Sequence, residues 1–268
     1  MVGIVWVFCQ IFLISSFKIP SDSMAPEVVA GDHVLVLKPL IGARLFNLTD
    51  KQPDVYRLPG LSPISRNDIL VFNFPCPKDW SRVEMDMMSY YIKRCVGMPG
   101  DSLRISNGLY LVNGVDTPLG NIVSQQIFSK RKNNTFDDGV FRSFPYDSIM
   151  NWNIKDFGPL YIPKKGAIIP MDRTNSVLYK KVIEWEQQQE LHIANDSTIH
   201  LGTEVIYSYC FRKNYYFMAG DRVEDSQDSR YWGLLPEEYI VGKAWLVWKS
   251  IDPYTDKFRW NRFLKRIR

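Results

Sequence analysis

Histidine is scarce: only His33, His192 and His200 occur in 268 residues. None sits in an HExxH pair or any other metal-ligand spacing. The usual imidazole base and a zinc centre are both disfavoured. Cysteine is equally thin, with Cys9, Cys76, Cys95 and Cys210 showing no CxxC. That pattern builds neither a disulfide framework nor a thiolate metal site. The cysteines read as free thiols, the three beyond Cys9 buried. No metal and no cofactor is expected. Charge of one sign is also lacking: the net charge of +4 gathers toward the C-terminal end, too mild for a nucleic-acid partner. No internal repeat occurs.

The apolar run Val2–Phe17, VGIVWVFCQIFLISSF, has no basic residues ahead of it and no small-residue cleavage site behind it, so it does not read as a cleaved leader. It is slightly short for a hydrocarbon core of ~30 Å. The expectation is an uncleaved transmembrane anchor over 1–17, with a buried core helix as the alternative.

Aromatics are plentiful, with 8 Trp, 14 Tyr and 15 Phe, which suits a β-rich protein. Short apolar runs at 33–37, 69–74, 88–96, 215–218 and 240–248 read as strands bounded by Gly, Pro, Asn and Asp. Leu103–Val112, with the Asn113-Gly114 turn, reads as a hairpin. The stretch 40–65 is loop-like, and 120–213 is polar and irregular except for an expected helix over Val177–Gln189, capped by Asn175 or Ser176. The fold class expected is mainly β. A core over 18–101 and 216–250 would carry an inserted mixed β/loop domain over 102–215. The tail, 251–268, places Trp260, Phe263, Leu264 and Ile267 at helical spacing among basic residues. It reads as a basic amphipathic helix, on a membrane surface or packed on its own domain.

Chemistry concentrates in two places. The first is Phe17–Asp32, FKIPSDSMAPEVVAGD. Ile19-Pro20 holds the backbone extended, and in a strand-like segment Ser21 and Ser23 would face the same way. They could serve as nucleophile and neighbouring donor, or form only a polar turn. The second is Lys93, inside the apolar run Tyr90–Val96. At the ordinary lysine pKa only about one lysine in 2,500 is neutral at pH 7. Burial can lower that pKa by up to ~3–5 units, and a shift of ~3 units disfavours the charged form by about 4 kcal/mol. The alternative for Lys93 is an edge-strand lysine that discourages aggregation. Arg94 reads as a solvated or structural charge.

The segments IPSDSM, RNDILVF, YIKRCVGMPGD and AGDRVEDSQDSRYWGLLPEEYIVGKA, in that order, resemble type I signal peptidases, the Ser/Lys peptidases that remove leader peptides. The resemblance covers Phe17–Asp32, Asn67–Phe72, Tyr91–Asp101 and Tyr216–Ala244. It implies Ser23 as nucleophile and Lys93 as general base. The backbone N–H of Ser23 and the Ser21 hydroxyl would form an oxyanion hole. Ser226 would orient the lysine, Asp228 and Arg230 would form a supporting ion pair, and Gly220 would let backbone pack beside the lysine. Ile19, Pro20, Met24, Val28, Tyr91 and Ile92 would shape shallow apolar pockets for small-X-small substrate residues, each with ordinary core packing as the alternative.

Two departures stand out. Arg222-Val223 replaces the asparagine and arginine usual before the serine, and Glu27-Val28 replaces the commoner Thr-Leu. The expected activity is a membrane-anchored serine endopeptidase at the outer face of the cytoplasmic membrane. Its partners would be preprotein signal peptides and membrane lipid, with no nucleic acid. The alternatives are a Ser/Lys processing peptidase of narrower substrate, or a membrane-tethered binding module that has lost activity.

Overall fold

The structure, a computed structural model, describes residues 2–47, 53–195 and 197–268. Part of the expected loop over 40–65, residues 48–52, lies outside the described residues.

One mixed-length, antiparallel sheet organises the chain. Its strands, numbered in chain order, are β1 (Ile14–Lys18), β2 (Asp32–Leu37), β3 (Ile69–Phe74), β4 (Asp86–Gly97), β5 (Tyr215–Ala219), β6 (Leu235–Pro236), β7 (Ile240–Ser250) and β8 (Lys265–Arg266). They lie in the order β1-β2-β7-β3-β4-β5-β6, with β8 on β7. Among the described residues, 102–214 give this sheet no strand and form smaller two- and three-stranded sheets of their own.

Strand β3 shows why the sheet sits in the middle of the protein. All six residues, ILVFNF, are buried. Leu70, Phe72 and Phe74 enter the larger apolar cluster, and Ile69 and Val71 enter a second one on the other face, as the two-residue period of a strand requires. The larger cluster continues through Phe128, Phe157, Tyr179 and Phe211, so residues of 102–215 share a core with the sheet.

Several expectations need correction. The N-terminal apolar run splits: a helix over Val2–Phe8 and a π-helical turn over Cys9–Leu13 end where Ile14 joins β1 and pairs with Leu37. A helix of that combined length reaches roughly 18 Å, short of the ~30 Å hydrocarbon core. Among the described residues no helix is long and apolar enough to cross a membrane, and residues 14–17 of the segment expected as a transmembrane helix lie in β1.

The tail expected as an amphipathic helix is not one either. A short 3₁₀ turn, Trp260–Arg262, is followed by Leu264 at φ 53° and then by β8. A left-handed residue stops helical continuation, and Leu246 and Val247 of β7 take up the pairing.

The hairpin turns at Asn107-Gly108, both with positive φ, and pairs Ser102–Ser106 with Leu109–Val112. The helix of the inserted region runs over Arg173–Gln187, and its cap is Asp172, whose side chain accepts from Asn175 N at 2.7 Å. Cys76 and Cys95 are buried, but Cys210 is exposed at the end of a short strand.

Candidate active site

The loop joining β1 to β2 carries Ser23. Its two ends are tied together by Ile19 N to Asp32 O and Gly31 N to Ile19 O, both 2.8 Å. Inside the loop Asp22 accepts from Ala30 N at 2.8 Å, and Met24 accepts from Val28 N at 3.0 Å. Residues 23–27 form turns and not a strand, so strand alternation does not set the relation of Ser21 to Ser23. Ile19, Met24 and Val28 point into the second apolar cluster and are buried, which pins the loop from below and leaves the serines on the open side.

Lys93 lies on β4, between β3 and β5, opposite Leu70. It is an interior-strand lysine, 4% exposed, and the edge-strand alternative does not apply. Its Nζ donates to Ser23 Oγ at 2.5 Å. Burial lowers the Lys93 pKa to about 8, with Asp228 pulling it back up and Arg230 pushing it further down. A tenth or so of such a lysine is neutral at pH 7, compared with the trace present in an exposed one.

The segment after β5 closes the site. Gly220 is required by contact distance: a Cβ there would lie 2.2 Å from Ser226 Oγ and 2.7 Å from Ser23 O. Asp228 and Arg230, both buried, pair through Nε–Oδ1 at 2.8 Å and Nη2–Oδ2 at 2.9 Å. Asp228 also accepts from Gly220 N at 3.0 Å, and Arg230 donates to Val223 O at 2.7 Å. Burial opposes ionisation of Asp228, yet Arg230 holds its carboxyl below the ordinary range. The pair therefore locks the loop over 220–230 against β5.

Arg222, one of the departures, gives its backbone N–H to Ser23 O at 3.0 Å while its side chain is exposed. Val223 is buried. The changed residues thus keep the turn that holds Ser23. Arg94, opposite Ala219 in the register, is a structural charge: it grips Asp221 with two bonds of 2.6 Å.

A cleft of about 660 Å³ opens over these groups, lined by Ser21, Ser23, Lys93 and Ser226 together with Pro20, Tyr91 and Ile92. Ile19, Met24 and Val28 lie behind this lining, in the core. Ser226 Oγ is buried and has no hydrogen-bond partner among the described residues; it shares the cleft with Lys93 without bonding to it. Sequence reasoning missed Trp80, Val140 and Tyr231, which line the same cleft. Tyr231 donates to Val140 O at 3.0 Å, and its ring lies 5.7 Å from that of Trp80. The DSQDSRYWG run contains Tyr231 and was the signal that could have found it, but no local pattern marks Trp80 or Val140. Among the described residues, no group of three or more His, Cys, Asp or Glu could hold a metal ion.

A nucleophile-type hydroxyl bonded to a buried lysine, beside a cleft, is equipment for acyl transfer. Residues 1–249 match the family described as signal peptidase, peptidase S26. The chain belongs to the signal peptidase family. Signal peptidase I of Buchnera aphidicola subsp. Schizaphis graminum is 29% identical over 264 residues, covering 96% of this chain and 74% of that one. Signal peptidase I of Pseudomonas aeruginosa is 30% identical over 250 residues, covering 89% and 66%. A solved signal peptidase I from Enterococcus faecalis is 17% identical with a TM-score of 0.32, covering 69% of this chain and 98% of that one. Membership of the family makes the protein a serine endopeptidase.

Proposed function

We propose that the protein removes signal peptides from exported preproteins through a Ser23–Lys93 dyad. The observation that carries this reading is the 2.5 Å bond from Lys93 Nζ to Ser23 Oγ on a lysine whose pKa burial lowers to about 8. In this reading neutral Lys93 takes the Ser23 proton as Oγ attacks the scissile carbonyl. The ammonium so formed then protonates the leaving amine, and an acyl-enzyme remains. A water deprotonated by the same lysine attacks the ester and restores Ser23.

The Ser23 N–H has no hydrogen-bond acceptor among the described residues, and the Ser21 hydroxyl lines the cleft beside it. Both suit donation to the oxyanion that develops in the transition state. Asp228 and Arg230 hold Gly220 and Ser226 against the lysine. Pro20, Tyr91 and Ile92 limit the cleft to small substrate side chains, with Ile19, Met24 and Val28 as their backing. Strand β4 of the large sheet and the loop between β1 and β2 supply the dyad, and 102–215 acts as an inserted unit that adds Val140 to one wall.

Exposed Trp6, Val7, Phe8, Ile11, Leu13 and Ile14 lie just before the Ser23 loop in the chain. They suit contact with membrane lipid at the outer face of the cytoplasmic membrane, where preproteins emerge.

The test is mass analysis of the new N-terminus after incubation with a detergent-solubilised preprotein. Cleavage after a small-X-small sequence, abolished when either small residue becomes phenylalanine, is the result expected. Cleavage indifferent to those positions would remove the signal-peptide specificity.

A further inference from the structure

Two features of the sequence remain unused by the chemistry above: the basic tail, and Glu27 in place of the usual threonine. They meet. Lys265 Nζ donates to Glu27 O at 2.8 Å and lies 3.4 Å from Glu27 Oε2, and Arg268 N donates to Glu27 Oε1 at 3.0 Å. Arg262 Nη2 donates to Glu27 O at 2.9 Å and to Asp32 Oδ2 at 2.6 Å, with Nε to Asp32 Oδ1 at 2.9 Å. Arg259 donates to Ala30 O and, at 2.9 Å, to Ser250 Oγ. Two points of the Ser23 loop, at 27 and 30, and the first residue of β2, Asp32, are therefore held by one stretch of chain.

The same stretch reaches the strand that carries the lysine. Arg94, the neighbour of Lys93, donates to Arg268 O at 3.0 Å as well as to Asp221. Ile267 is buried in the second apolar cluster, beside Met24 and Val28, and β8 is fixed to β7. The stretch has rigid support at its middle and a catalytic segment at each side.

We propose that residues 259–268 form a positioning strap that sets the distance between the Ser23 loop and the Lys93 strand, with Glu27 as its anchor on the loop. The proposal rests on the Ser23–Lys93 reading for its kinetic consequence, but not for its structural one. Loop and strand are separate elements joined through long connections, so an ångström of drift between them lengthens the proton-transfer contact. Misplacement on that scale costs up to about 10²-fold in rate. Glu27, Arg262 and Lys265 are positioning residues and touch no substrate.

The test uses the full chain with Glu27→Ala, Glu27→Gln and Arg268→Pro. The glutamine keeps an acceptor for Arg268 N–H, and proline removes that N–H without touching Glu27. Amide exchange is followed by mass spectrometry over 19–32 and, as a reference, over 69–74, alongside kcat and KM on a preprotein. Glu27→Ala and Arg268→Pro are expected to raise exchange over 19–32 by about fivefold, the scale of one net hydrogen bond, with 69–74 unchanged. Both are expected to lower kcat by about tenfold with KM held, and Glu27→Gln to recover most of the loss.

Unchanged exchange over 19–32 in both variants overturns the strap. Raised exchange with an unaltered kcat overturns its positioning role. A wild type that cleaves no preprotein defeats the dyad reading instead, and the exchange measurement still decides whether the strap holds the loop.

Discussion

Lys93 Nζ lies 2.5 Å from Ser23 Oγ although the two residues are 70 positions apart in the chain. Each is placed by a different device: Ser23 by a loop pinned over apolar residues, Lys93 by an interior strand that denies its ammonium water. In the proposed dyad the contact would give the proton a path, and burial would make the amine available to accept it.

Only neutral Lys93 can accept a proton, so kcat/KM should rise with pH through an acidic limb centred near pH 8, where burial puts the Lys93 pKa. Initial rates between pH 6 and 10 check this. A flat profile from pH 6 to 9 would contradict it.

Neighbouring charges should move that limb in opposite directions. Asp228 raises the Lys93 pKa and Arg230 lowers it. Asp228→Asn should therefore shift the limb toward lower pH, and Arg230→Gln toward higher pH, in whatever folded fraction remains. Each change also leaves a buried partner uncompensated, a loss of about 3–5 kcal/mol that urea unfolding would measure.

Burying Lys93 also weakens the fold at neutral pH. Its pKa falls from 10.5 in the unfolded chain to about 8 in the folded one. Between those values the unfolded state binds more protons, so stability rises with pH from about 8 to 10.5 and the full penalty applies below 8. Lys93→Met should accordingly raise Tm at pH 7, and the difference from wild type should shrink toward pH 10.5. A lower Tm for the variant at pH 7 would contradict this sign.

Ser21→Ala should reduce kcat by about 10²–10³-fold with little change in KM, the usual cost of one oxyanion donor. Gly220→Ala should reduce it further and destabilise the protein by ~1–3 kcal/mol, because the added methyl meets Ser226 and the Ser23 carbonyl. Steady-state kinetics and thermal unfolding separate the two.

The strands at the centre of the sheet were readable because their apolar runs are bounded by turn residues, as in Asn67-Asp68 before β3 and Met98–Gly100 after β4. The tail was not. Its apolar residues repeat at helical spacing, but Arg259, Arg262 and Lys265 find carbonyls and carboxylates on the Ser23 loop, contacts that periodicity cannot register. The N-terminal run differs from its expectation for a related reason: Val2–Phe17 reads as one apolar segment, but the edge of β2 offers Ile14–Lys18 pairing.

In the site, local patterns at Ser23 and Lys93 left a polar turn and an edge-strand lysine open, and the resemblance of the four ordered segments singled the two residues out. The cleft's far wall was not singled out, since Trp80, Val140 and Tyr231 come together from three separate segments. Asn107-Gly108 and Asn113-Gly114 carry the same turn signal, and the strand pairing across 103–112 puts the hairpin turn at the first.

The most direct measurement is single-turnover cleavage of one preprotein by the wild type, Ser23→Ala and Lys93→Ala at pH 9, with circular dichroism to verify that all three fold. Processing by the wild type and none by either variant is the result predicted. Cleavage by a folded Lys93→Ala at the wild-type rate would show that another group takes the Ser23 proton.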